Sequence, residues 1–433
     1  MTREDLLERF RTTRQASLDL SAPLQPEDYR IQSMADVSPP WWNLGHTTWF
    51  FAKNVLEPFG VYTEEDARLE YVLNSYYEAL GPRVPRAERG LQTRPTTEGI
   101  FAFRRRTDDR IEALIRDLAD KEWDRAEFLI VTGIQHEQQH QELLVTEIKH
   151  ILGTNVRELR TAYRATGASS APVGLTELEP VTLEGGLDEF GNLEGGWCFD
   201  NELPIHQAWL EPFAVANRLI SNGEYLEFMD DGGYRDPLLW LANGWSRVQE
   251  EGWKHPLYWE DVDGEWQQWS LDGMRPLELD EPLCHVSFYE ADAFSRWMGS
   301  TNSSWSGCRL PTEREWEHAA RRCGFDVGAG NFLDDRRLHP GCCASGTNGA
   351  LAQAAGELWE WTSNHYEAYP GYTPFDGPLM EYNGKFMDNQ RVLRGGSCAT
   401  PRSHIRVSYR NFWAPETRFQ FSGVRVSRSL ADR

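Results

Sequence analysis

The stretch EWDRAEFLIVTGIQHEQQHQELLVTEIKHI, residues 122–151, decides the fold of the first half of the chain. Apolar residues recur along it at i, i+3 and i+4, strong helix formers dominate, and Gly153 follows where a C-terminal cap would stand. The pattern predicts one long amphipathic helix. At its middle, QHEQQHQE interrupts the apolar run with polar side chains. His136 and His140 are four residues apart, so their imidazoles project from one helix face. The spacing alone also suits a pair of surface histidines. Polar groups turned inward are costly unless partnered, and a metal ion is a good partner for two imidazoles.

Working outward, segments 97–120, 41–57 and 3–19 carry the same helical period, the second with Pro39 and Pro40 at its start, where proline is tolerated. Four helices imply a bundle, and bundles aim metal ligands inward from facing helices. A third ligand candidate is His46 in NLGHTTWFF, flanked by Trp42, Trp49 and Phe50. By itself it fits a buried core histidine; with the pair at 136 and 140 in the same bundle it also fits a third ligand. Three neutral imidazoles around Fe(II) leave the full +2 charge, one unit more than a two-histidine, one-carboxylate triad leaves. Such a centre favours a thiolate and keeps positions open for O2.

The string HEQQH also satisfies the zinc-protease pattern H-E-x-x-H, with Glu137 as general base. That reading needs a third ligand downstream. No HxxGxxH follows, and Glu158, the nearest glutamate at a suitable distance, lies across Gly153.

A chain of 433 residues is long enough for two domains. Of its 18 tryptophans only Trp41, Trp42, Trp49 and Trp123 precede residue 180, which points to two architectures. The formal charge of −23 argues against a nucleic-acid partner, since polyphosphate binding needs a basic face. No apolar run of membrane-spanning length is present, and the start, MTREDLLERFRTTRQ, lacks a signal-peptide core, so a cytoplasmic location is expected. Seven cysteines, odd in number and without a CxxC pair, read as free thiols.

The expected organisation is multidomain, α and α+β: a helical bundle over 1–152, a polar linker over 153–179, and a glycine- and tryptophan-rich α+β domain with small sheets over 180–433. Helices are expected there at 287–299 and 312–322.

PPWWNLGHTTWFF (39–51), NSYYEALG (74–81) and HEQQHQE (136–142) together resemble the DinB-like four-helix bundle of the ergothioneine-biosynthesis sulfoxide synthases, the hercynine oxygenases. The second half resembles a formylglycine-generating-enzyme-like, sulfatase-modifying domain of C-type-lectin-like fold. DNELPIH (200–206), GWKHPLYW (252–259), RLPTEREWEHAA (309–320), GELWEWT (356–362), RVLRGGSC (391–398) and RNFWAPETRFQFSGVRV (410–426) carry that likeness. The resemblance covers nearly the whole chain. It implies Fe(II) as cofactor, O2 as co-substrate, and small-molecule partners: a thiol and hercynine (Nα-trimethylhistidine), joined as a sulfoxide at the imidazole carbon. The selenoneine synthase branch, which takes a selenosugar, is the alternative. A non-catalytic lectin-like binder is a further one.

Carried over residue by residue, the resemblance makes His46, His136 and His140 the iron ligands and Gln139 a contact to hercynine. Tyr76 and Tyr77 match the tyrosine pair of one branch as proton donors; in the other branch the tyrosine comes from the second domain, where Tyr366, Tyr369 and Tyr372 are candidates. Arg83, Arg86 and Arg89 in GPRVPRAERG stand where the family places arginines for the thiol's carboxylate, which a guanidinium fork binds well. Asn411, Phe412 and Trp413 match the segment lining the trimethylammonium pocket, and aromatic faces attract such cations. Some relatives carry an aspartate where Trp413 stands, a departure that favours cysteine over γ-glutamylcysteine. The copper-binding cysteine pair of the formylglycine-generating enzymes has no counterpart beside Cys398.

Overall fold

The computed structural model of the chain describes residues 1–164, 175–343 and 351–430. Residues 165–174 of the expected linker at 153–179 lie outside them. The chain forms two compact units: Met1–Ala165 together with Asp376–Tyr382, and Thr166–Phe375 together with Asn383–Arg433.

In the first unit α1 (Arg3–Ser21) starts at a capping box in which Thr2 and Asp5 satisfy each other's backbone N–H groups. Helix α2 (Pro40–Phe51) begins with proline and is buried on every side, so it is the central helix. It runs on as a π-helical turn over Ala52–Leu56. Two single turns, α3 (Glu64–Ala67) and α4 (Glu70–Leu73), follow. Helix α5 (Thr97–Asp117) is capped by Thr96, and α6 (Trp123–Gly153) is the helix of the opening stretch. Helix α1 packs on α6, and α2 on both α5 and α6. At the α2–α6 crossing Gly133 admits Phe51; a Cβ there would fall 2.4 Å from the Phe51 ring. That absence lets the two helix axes approach closely.

Gly153 does not form the expected left-handed cap. It is the last helical residue, and the chain leaves through Thr154 with right-handed α dihedrals, the Thr154 N–H bonding to the His150 carbonyl.

Among the described residues the second unit holds four small sheets. β1 (Pro180–Leu183), β4 (Phe213–Ala216) and β12 (Ser427–Ser429) form one, with β4 central; β2 (Gly186–Phe190) and β3 (His206–Leu210) form a hairpin. β5 (Trp259–Val262), β6 (Glu265–Ser270) and β7 (Gly273–Pro276) make an antiparallel meander. β8 (Trp359–His365), β9 (Arg391–Arg394), β10 (Asn411–Trp413) and β11 (Ser422–Gly423) make the fourth sheet, in the order β10-β9-β8-β11. Two helices, α7 (Asn222–Asp230) and α8 (Ala242–Glu251), have no counterpart in the sequence reading. The two expected helices appear as α9 (Phe288–Thr301) and α10 (Glu313–Cys323), each begun by a capping box, Ser287 with Glu290 and Thr312 with Glu315. Phe213, Val215, Trp316 and Ala319 share one apolar core. All seven cysteines are free thiols, and no described helix is long and apolar enough to cross a membrane.

Candidate metal centre

Three imidazoles from two helices meet inside the first unit. One ligand atom from each of His46, His136 and His140 lies within 4.8 Å of the others, and this is the metal-competent cluster among the described residues. On α2, His46 Nδ1 bonds to the Leu73 carbonyl at 2.6 Å. A carbonyl can only accept, so Nδ1 carries the proton and Nε2 keeps its lone pair. That Nε2 is buried and has no hydrogen-bond partner. Leaving it so is costly unless a cation takes the lone pair, and on this ground the residues present fit a metal. On α6, His140 Nδ1 bonds to Asn43 Oδ1 at 2.7 Å, again directing Nε2 elsewhere. The Nδ1 of His136 is buried and unpartnered.

Aromatic rings fix these imidazoles in place. Trp42 stacks on His46 with centroids 4.6 Å apart and planes 10° from parallel, and Phe50 stacks on His136 at 4.0 Å. The Arg89 guanidinium lies 3.5 Å over the Trp42 ring and bonds to Ser38 Oγ and Ser75 Oγ. Burial, and then the neighbouring rings, hold all three histidines well below the usual imidazole range, so they stand neutral with lone pairs available.

Glu137 points elsewhere. One residue along the helix from His136, it is turned about 100° away, into a fully buried network with Arg14, Arg104 and Ser17. Burial alone would raise its pKa, but Arg104 and Arg14 outweigh that and hold it below the usual range. Both its oxygens are occupied, so no general base of the zinc-protease kind faces the histidines.

Tyr76 and Tyr77 stack at 4.6 Å, their hydroxyls 3.4 Å apart. Tyr77 is fully buried against Trp49 and Phe50, and burial pushes its phenol well up, which keeps it protonated. Arg83 pairs with Glu78 at 3.0 Å, Arg86 is exposed, and Arg89 is buried.

Gln139 has a partner that sequence reasoning missed. Tyr382, from the short segment that belongs to this unit, donates its hydroxyl to Gln139 Oε1 at 2.5 Å and sets its ring edge-on to His136, 5.9 Å between centroids. The adjacent Glu381 accepts the backbone N–H groups of Glu78 and Ala79, at 3.1 and 2.8 Å, just after the tyrosine pair. Neither residue lies in a periodic segment. Their only mark in the sequence is a polar stretch, EYNGK, which is no signal of a site.

In the second unit Asn411, Phe412 and Trp413 form the half-buried edge strand β10. Phe412 stacks on Tyr366 at 4.1 Å, Trp413 meets Phe419 edge-on, and Asn411 Oδ1 accepts the Phe412 N–H. The alternative tyrosines are engaged there: Tyr366 with Asn201, Tyr369 with Glu313 and Tyr372 with Asp200.

Comparison with known proteins finds two families along the chain. Residues 9–144 match the DinB superfamily, and residues 166–341 and 345–430 match the sulfatase-modifying factor enzyme 1-like domain. The chain is 33% identical over 332 residues to a hercynine oxygenase of Mycolicibacterium smegmatis, covering 69% of this chain and 71% of that protein. It is 29% identical over 375 residues to a hercynine oxygenase of Mycobacterium tuberculosis, covering 77% and 83%. A formylglycine-generating enzyme of Streptomyces coelicolor is 27% identical over 289 residues, 55% of this chain and 85% of that one.

Proposed function

The chain belongs to the hercynine oxygenase family of enzymes, and from that premise we propose that it links a thiol sulfur to the imidazole carbon of hercynine. The convergence of His46, His136 and His140 within 4.8 Å is the observation that carries this reading. The reaction balances simply: hercynine loses C–H, the thiol loses S–H, one oxygen atom becomes the sulfoxide and the other leaves as water. Fe(II) held by the three imidazoles would supply the binding and activation of O2 and of the thiolate.

Two protons must reach one oxygen atom, so a proton donor is required beside the histidines. Tyr77 suits that role: its phenol is buried, held protonated, and packed on Phe50, which itself stacks on His136. Tyr76 shares its hydroxyl environment. Gln139 and Tyr382 form a polar pair beside His136 that suits the hercynine imidazole. Arg86, exposed in the loop that follows the tyrosine pair, suits the thiol's carboxylate, with Arg83 three residues before it. Phe412 and Trp413, beside Asn411, offer the kind of aromatic faces that attract a trimethylammonium group, and tryptophan at 413 favours cysteine over γ-glutamylcysteine.

The test is the Fe(II)-loaded protein given O2, hercynine and, in parallel, cysteine, γ-glutamylcysteine or a selenosugar. O2 uptake and product mass are followed. Hercynine–cysteine sulfoxide is the expected product; a carbon–selenium product formed faster moves the enzyme to the selenium branch, and no O2 uptake with any donor ends the proposal.

A further inference from the structure

Glu147 is buried, 3% exposed, and forms no ion pair among the described residues. A carboxylate in such a place is costly unless it does something that an apolar side chain could not. It lies on α6 seven residues, two helical turns, after His140, and so on the same face but about 10 Å further along the axis. It is too far away to be a ligand. The gap is filled by Asn43 of α2, three residues before His46.

In its ionised form, which a cation at the histidines favours, Glu147 can only accept, and the hydrogen bonds then have one direction. The Ser38 backbone N–H donates to Glu147 Oε1 at 3.0 Å, and Asn43 Nδ2 donates to Glu147 Oε2. With its amide nitrogen drawn to Glu147, Asn43 must turn Oδ1 the other way, to His140 Nδ1 at 2.7 Å. That oxygen can only accept, so His140 is protonated on Nδ1 and its lone pair lies on Nε2. If the Asn43 amide were reversed, its NH2 would face His140 Nδ1, the proton would shift to Nε2, and the ligand atom would be blocked.

We infer that Glu147 is a positioning residue of the metal centre: through Asn43 it fixes the tautomer of His140 that can bind a metal. The inference rests on the triad being a metal site, and goes beyond it in assigning a role to a residue that touches neither metal nor substrate. Packing alone would not require a carboxylate at 147, and an acidic group serving only the start of α2 would not require Asn43 in this orientation.

The probe is Co(II) alone, titrated into the metal-free full-length protein and followed by its visible absorption. Glu147→Gln presents one acceptor and one donor to two donors, Ser38 N–H and Asn43 NH2, and so releases the amide to reverse. Its Co(II) affinity should fall 10- to 100-fold, the range typical for lost support of a ligating histidine. The paired change Asn43→Asp with Glu147→Gln restores the polarity. The new amide at position 147 accepts from Ser38 and donates to the new carboxylate at position 43, whose second oxygen accepts from His140. Affinity should return to at least the wild-type value. Melting of each metal-free variant tests folding separately. Wild-type affinity in Glu147→Gln, or no recovery in the folded double variant, overturns the inference while leaving the metal centre standing. Absence of Co(II) binding by the wild-type protein overturns both.

Discussion

Tyr382 donates its phenolic proton to Gln139 across 243 residues of chain, so a segment late in the sequence completes the wall beside His136. Gln139 is next to His140 in sequence, and this bond fixes its carbonyl oxygen at the site.

Tyr382→Phe removes that hydrogen bond and keeps the ring packing. About 1 kcal/mol of positioning is lost, on the scale of one neutral hydrogen bond, and kcat/KM for hercynine should fall roughly fivefold with metal content unchanged. Steady-state kinetics with metal analysis check it.

His140→Ala removes one of three ligands. Metal content and O2-dependent activity should disappear together, while far-ultraviolet circular dichroism stays helical, because the bundle is held by its apolar faces. Treatment with a chelator should give the same loss reversibly.

Tyr77→Phe takes away a buried hydroxyl and nothing else. Metal binding should persist, and turnover should fall by about 10²- to 10⁴-fold or the product change, as expected for a lost proton donor. If Tyr77→Phe and Tyr76→Phe both behave as wild type by O2 uptake and mass analysis, the donor is another tyrosine, Tyr382 beside His136 or one of Tyr366, Tyr369 and Tyr372.

Glu137→Gln leaves Arg14 and Arg104 buried with their charge less compensated. About 3–5 kcal/mol of stability should go, the cost of breaking a buried ion pair on one side. Thermal or urea unfolding measures it, and no proteolytic activity should be found in either form.

Burial pushes Glu147 up from 4.5 to about 8 in the metal-free protein. The folded state therefore keeps a proton that the unfolded state gives up. This contribution to stability is full below pH 4.5 and is lost as pH rises through about 8, at a slope of at most about 1.4 kcal/mol per pH unit. Urea unfolding of metal-free protein across that window should show stability falling, and Glu147→Gln should remove this part of the slope. Bound Co(II) should reduce it too, since a nearby cation favours the ionised form.

Much of the bundle is legible in the sequence because its signals are local. The four helical periods, Pro39–Pro40 and the spacing of His136 and His140 each depend on residues within a few turns of one another. In the second unit α9 and α10 stand out in the sequence, whereas α7 and α8, nine and ten residues long, are short and set among glycines. The end of α6 misleads: a glycine at the right place suggests a left-handed cap, but Thr154 continues the right-handed path.

The sequence by itself determined that two imidazoles share a helix face and that a third stands among tryptophans on another helix, since periodicity and composition are properties of neighbours along the chain. Only the tertiary structure decided which polar groups face the cluster. Glu137 turns to two arginines while His136 beside it turns inward, Asn43 carries the influence of Glu147 to His140, and Tyr382 arrives from far along the chain. Hydrogen bonds act within about 3 Å, and which donors come that close is set by packing between helices, a relation that no local pattern encodes.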